Sequence, residues 1–217
     1  MVSDSGGERF YSVKELREIA DDIDRAVTVA VNERIEADHR VFDFSEVEKL
    51  LREARRIAVQ DCECKVMYGN CDAPRDVCLI LDEEADYALA GGFDAREISV
   101  DQALDVLRRS HEAGLVHMAY VMKGSERPGL ICSCCSCCCH TLGGLLRYRI
   151  HAQVLTSNFI AVDDANLCVD CGRCISRCVF GARRMVDAKL EYDDSKCYGC
   201  GLCVSTCPTD AISMTPR

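Results

Sequence analysis

What the 217-residue chain lacks narrows its possibilities first. It holds only 4 prolines and 14 glycines, too few for a fibrous or low-complexity chain. No run approaches the roughly 18 consecutive apolar residues of a membrane helix, so no membrane span is expected. The opening segment MVSDSGGERF has no basic stretch followed by an apolar one. A signal peptide is therefore not expected, and the default compartment is the cytoplasm. Basic charge is outnumbered, 26 Lys and Arg against 36 Asp and Glu, for a formal net charge of −10. That balance argues against nucleic acid as a partner, because phosphate binding needs a basic face. There is no Gly-x-Gly-x-x-Gly turn and no P-loop; Gly91-Gly92 and Gly143-Gly144 are isolated pairs. No radical-SAM Cys-x3-Cys-x2-Cys triad and no nucleophile-plus-base motif can be read. No catalytic residue is assigned.

What the chain has in excess is cysteine: 18 residues, about 8%. In a short secreted chain that density would mean a disulfide framework. Without an export signal a reducing compartment keeps thiols free, and metal is the better explanation. The rest of the pattern predicts an α+β fold. Ser12 with Glu15 forms a capping box, and the stripe from Val13 through Leu16, Ile19, Ile23 and Val27 predicts an amphipathic helix over 13–37. Ser45 with Glu48 opens a second predicted helix over 46–60, and the two are expected to bury a shared seam or to dock a partner protein. Residues 61–80 read as a loop. Ser99 with Gln102 starts a helix to about 113, with Gly114 placed as its C′ residue. Leu115–Met122 suits a strand, 123–129 a turn, and 141–150 a short helix. The expected organisation is a helical N-terminal region (1–60), a cysteine-rich iron–sulfur region (61–160) and a C-terminal module (161–217).

The last 50 residues contain an internal repeat. Cys168-x2-Cys171-x2-Cys174-x3-Cys178 recurs as Cys197-x2-Cys200-x2-Cys203-x3-Cys207, offset by 29 at every position. Three cysteines spaced by two residues wrap three corners of a [4Fe–4S] cubane, and the fourth corner must come from elsewhere. Zinc sites more usually pair two Cys-x2-Cys knuckles, so zinc is disfavoured here. With Cys207-Pro208 and Ala211-Ile212, the segment 168–217 resembles bacterial-type dicluster ferredoxins; Val179 stands where that family usually has proline. The resemblance implies two cubanes with exchanged fourth ligands: Cys168, Cys171, Cys174 and Cys207 for the first, Cys197, Cys200, Cys203 and Cys178 for the second. Arg173, Arg177, Arg183 and Arg184 lie among or after the ligands and are candidates to offset cluster charge.

Ten more cysteines precede the repeat: Cys62, Cys64, Cys71 and Cys78 spaced apart, then Cys132, Cys134, Cys135, Cys137, Cys138 and Cys139 in one dense block. Ten idle thiols would be an oxidation hazard. Two further cubanes would use eight and leave two spare; a larger cluster, or zinc or copper storage, are the other readings. His140 follows the block and is read as a hydrogen-bonding neighbour rather than a ligand. Residues 61–217, with Cys-x-Cys…Cys…Pro…Cys before Ile-Cys-x-Cys-Cys-x-Cys-Cys-Cys, resemble a group of cysteine-rich iron–sulfur proteins of anaerobes, which implies an anaerobic redox protein and no particular reaction.

The function expected is a multi-cluster electron carrier, with two [4Fe–4S] clusters in the C-terminal module and one or two further iron–sulfur clusters. It would relay single electrons between redox partner proteins, alone or as a subunit of a larger oxidoreductase. In the alternative, a cluster of the 132–139 block is itself catalytic. A sensor is a third reading, but no DNA-reading helix with a basic face is apparent.

Overall fold

The computed structural model describes residues 9–21, 23–28, 32–36, 39–43, 45–122, 127–149 and 154–217. Its helices are α1 (Val13–Asp21), α2 (Ser45–Glu53), α3 (Glu63–Tyr68), α4 (Asp82–Ala90), α5 (Val100–Glu112), α6 (His140–Tyr148) and α7 (Arg173–Arg177). The strands are β1 (Ile23–Thr28), β2 (Asn32–Glu36), β3 (His39–Asp43), β4 (Ile57–Asp61), β5 (Asp76–Leu81), β6 (Ala95–Glu97), β7 (Val116–Met122), β8 (Leu130–Cys134), β9 (Val154–Leu155), β10 (Phe159–Asp163), β11 (Arg183–Val186), β12 (Lys189–Tyr192) and β13 (Ile212–Pro216). Seven strands form one sheet in the order β6-β4-β5-β8-β7-β1-β9. Its pairings are antiparallel except for β1 with β9. The C-terminal module contributes two small antiparallel pairs, β10 with β13 and β11 with β12. No helix among the described residues is long and apolar enough to cross a membrane.

Two expected helices stop early. Past Asp21 the chain turns into β1, which pairs with β7 from Ile23 to Thr28. Ile23 and Val27, four positions apart, fit one face of either a helix or a strand. The available partner strand decides between them. Positions 22, 29–31 and 37 of that expected helix lie outside the described residues. The second helix ends at Glu53, and Ile57, Ala58 and Val59 are all buried in β4. Three consecutive buried residues mean that both faces are covered, which an amphipathic surface helix cannot provide. The expected helical hairpin does not form either: α1 packs on α6, and α2 on α5. The stretch read as a loop also carries structure. It holds α3, closed by Gly69 at φ +59, and β5; the loop shrinks to 70–75.

Helix α5 forms as its ends dictate. Ser99 and Gln102 exchange both bonds of a capping box, at 2.9 and 3.2 Å. At the other end Gly114, at φ +78, donates to the His111 carbonyl and Leu115 to that of Ser110, the paired bonds of a Schellman stop.

The sheet separates two cores. On one face α2 and α5 cover Val59, Val77, Leu79 and Ile131 with Val47, Leu51, Val106 and Leu107. Each fully buried leucine there contributes about 1.5–3 kcal/mol. On the other face Val116, Met118 and Tyr120 of β7 meet Leu142 and Leu145 of α6 and, from the C-terminal module, Cys200 and Leu202. The module is thus joined to the sheet through a shared apolar core.

Candidate metal centres

The C-terminal repeat extends to the backbone. Asp170, Gly172 and Gly181 have φ of +53, +71 and +68, and Gly199, Gly201 and Asp210 repeat them at +74, +75 and +52, each 29 residues on. Left-handed residues bend the chain tightly enough for successive thiols to face one centre. Asp170 tolerates this conformation because its carboxylate is bonded to the Leu190 N–H and the Lys189 ammonium, each at 2.8 Å. At Gly199 a Cβ would run into the Phe159 carbonyl.

Two small cavities sit inside this module. Cys168, Cys171, Cys174 and Cys207 line one. Cys178, Cys197, Cys200 and Cys203 line the other. All eight are free thiols. Burial raises the Cys203 thiol to about 12 and pushes Cys200 up as well. Burial disfavours the charged thiolate at both positions, and a cation that takes thiolate ligands would offset that penalty. Residues 161–214 match the 4Fe-4S dicluster domain family. No curated protein shows significant similarity to the chain. The match and the thiol-lined cavities together support an iron–sulfur electron-transfer role.

Arginine charge within the dicluster domain is arranged differently from the expectation. Arg173 is exposed, Arg184 pairs with Glu191 at 2.5 Å on the surface, and Arg177 donates to the Glu112 carbonyl at 2.9 Å. Arg183 is the buried one. It makes a two-pronged bond to Asp163 at 2.6 and 2.7 Å, and it lies over the Tyr192 ring. One of its nitrogens is 3.9 Å from the Cys174 sulfur, and its charge also acts on Cys203. A single guanidinium therefore reaches a lining cysteine of each cavity. Sequence reading grouped it with three surface arginines because only burial distinguishes it.

The ten middle cysteines separate into two groups. Cys71, Cys135, Cys137 and Cys138 converge with all four sulfurs within 4.8 Å of one another. The other six make a chain of thiol contacts: Cys62 with Cys64 and Cys78, Cys78 with Cys132, and Cys139 with Cys64 and Cys134. Strand pairing builds this nest. Cys78 on β5 and Met118 on β7 both lie opposite Cys132 on β8, and Val116 lies opposite Cys134. The alternation in Cys132-Ser133-Cys134 puts both thiols on one face. Strand β8 thus sends Cys132 and Cys134 to the nest, while the turn after it sends Cys135, Cys137 and Cys138 elsewhere.

Lys65 is the most unexpected member. It is 1% exposed, and its ammonium donates to the Ser133 carbonyl at 2.9 Å. A buried ammonium needs an anion. The described residues pair it with no carboxylate, and its charge acts on Cys62. Hydrogen bonds with Cys64 and Cys78, ahead of that ammonium, hold the Cys62 thiol far below its ordinary range. The lysine thus places a positive charge beside the one nest thiol whose ionised form is favoured.

Two buried histidines link the nest to the dicluster domain. His117 Nδ1 lies 3.0 Å from Ser133 Oγ, the His117 and His111 rings stack at 6.3 Å, and His111 Nε2 lies 2.8 Å from Ser205 Oγ. Burial depresses both, His111 to about 4 and His117 to about 3, so they are neutral at pH 7. His111 lies near the end of α5 and His117 on β7, on either side of the helix stop at Gly114. His140, half-buried, stacks edge-on against Tyr11 and hydrogen-bonds Thr141 at 3.1 Å.

Proposed function

We propose that this chain is an electron relay of anaerobic metabolism, passing single electrons between redox partner proteins. Cys168, Cys171, Cys174 and Cys207 would hold one cubane, and Cys178, Cys197, Cys200 and Cys203 the other. The nest of Cys62, Cys64, Cys78, Cys132, Cys134 and Cys139 would hold at least one further iron–sulfur cluster. Such clusters supply one-electron redox chemistry over a wide range of potential. The protein's part is to space them, exclude water and set their charge.

One observation carries the reading: Cys134 and Cys139 of the nest share a buried core with Cys200 of the dicluster domain. Stations joined through packed protein suit transfer within the molecule. At the opposite end Cys171 is exposed, which suits exchange with a docked partner. Cys62, Cys78, Cys134 and Cys139 are at most 8% exposed. Such burial favours an electron station over an iron that binds substrate.

The division into 1–60, 61–160 and 161–217 is proposed as a division of function along the chain, since one sheet draws strands from the first two segments, with the cytoplasm as the compartment that keeps the thiols reduced. The test is anaerobic purification with iron and sulfide counted per chain, followed by reduction through an external low-potential donor. About eight irons reside in two cubanes, and a cubane in the nest raises the count to about twelve. A Cys132→Ser, Cys134→Ser variant should lose the excess and keep the eight. Material without iron, or with clusters that cannot be reversibly reduced, would refute the relay.

A further inference from the structure

We propose that Cys71, Cys135, Cys137 and Cys138 hold a single divalent metal ion in a tetrathiolate site, chemically distinct from the iron–sulfur clusters. The assignment goes beyond the relay reading and does not depend on it. It departs from the expectation that all ten middle cysteines serve clusters.

The sulfur spacing carries the argument. Cys71 Sγ lies 3.7 Å from Cys135 Sγ, and Cys137 Sγ 3.8 Å from Cys138 Sγ. A tetrahedron of thiolates bound to one zinc at about 2.3 Å has edges of about 3.8 Å. In a cubane each thiolate binds a different iron and points away from a four-iron core, so its sulfurs stand farther apart. The same chain supplies the comparison. Among the described residues this is the one group of metal-ligating side chains drawn so close. The cysteines around the two cavities of the dicluster domain form no such group.

The surrounding loop is arranged to hold such an ion. The Asn70 side-chain amide donates to the carbonyls of Arg9, at 2.8 Å, and Cys137, at 3.1 Å. Arg147 donates to the Ser136 carbonyl at 2.7 Å. Backbone N–H groups also point at the sulfurs, that of Cys138 at Cys135 and that of Asn70 at Cys138. Four thiolates on a divalent ion leave two negative charges, which these amides and the neighbouring guanidinium offset. Zinc is the expected occupant, since it binds such sites more tightly than ferrous iron.

The role that follows is structural. Cys71 and Cys135 are 64 positions apart in sequence, and one ion would clamp the 70–75 loop to the turn between β8 and α6. Cys139, next in sequence to Cys138, belongs to the nest.

The test uses the full chain, produced without oxygen and supplied with both iron and zinc. X-ray absorption at the zinc edge should show one zinc per chain with four sulfur neighbours at about 2.3 Å. A Cys71→Ser, Cys137→Ser variant should lose that ion and keep its acid-labile sulfide. Loss of one iron without sulfide would keep the single-ion site and make iron its occupant. Loss of several irons together with sulfide would overturn the proposal, even with the relay intact. Where the variant fails to fold, the unaltered chain decides: sulfide-free metal with four sulfur neighbours supports the site, and its absence overturns it.

Discussion

Arg183→Met tests whether the interior of the dicluster domain sets its own redox potential. The Arg183 side chain is 1% exposed, held by Asp163 at 2.6 Å, and reaches to 3.9 Å from Cys174 Sγ. With about 6 Å from the charge to the iron behind that sulfur, and an effective dielectric of about 20, the guanidinium favours an added electron by about 3 kcal/mol. That corresponds to about 120 mV for a one-electron couple. The Asp163 carboxylate, about 3 Å farther off, opposes it by about 2 kcal/mol, or about 80 mV. Arg183→Met should lower the affected potential by about 120 mV. Arg183→Met combined with Asp163→Asn should lower it by only about 40 mV. Breaking this buried pair also costs about 3–5 kcal/mol of stability, much of which the double variant should recover. The assay is a redox titration followed by electron paramagnetic resonance, with urea unfolding in parallel. Unchanged potentials in the single variant, or a larger fall in the double, would refute the reasoning.

Three further outcomes are expected. Gly199→Ala combines a positive φ with a collision at the Phe159 carbonyl; it should cost about 1–3 kcal/mol, and a melting temperature equal to the parent's would show that the loop is not strained. His111 and His117 are depressed to about 4 and 3 by burial, so below the ordinary value near 6.5 the unfolded chain takes up protons that the folded chain refuses. Stability should therefore fall as pH drops from about 6.5 toward 4, each histidine adding a slope of about 1.4 kcal/mol per pH unit. His117→Asn should make urea midpoints less dependent on pH, and an unaltered dependence would mean that the histidine is already charged. Lys65→Met removes the ammonium beside the nest; it should lower the potential of the cluster there, or empty the nest, while the dicluster domain keeps about eight irons. Iron content and potentials both equal to the parent's would show that the nest carries no net charge needing compensation.

Local chemistry left clear marks in the sequence. The 29-residue cysteine repeat could be read directly because cluster ligation demands fixed short spacings, and the same offset reappears in the positive-φ positions. Ser99, Gln102 and Gly114 announced both ends of α5, since caps are satisfied within a few residues of chain. Ile23–Thr28 and Ile57–Asp61 could not be assigned from spacing, because short apolar runs fit a helix or a buried strand until a partner strand supplies the hydrogen bonds. Arg183 and Lys65 looked like any other basic residues, and only the fold reveals that they are buried beside sulfur. Cysteine content and spacing together pointed to a thiolate metal protein. The division of its middle cysteines into a nest of six and a tight group of four was decided by strand register and by the loop from Asn70 to Arg75. Which thiols meet depends on backbone paths brought together from positions more than 50 residues apart.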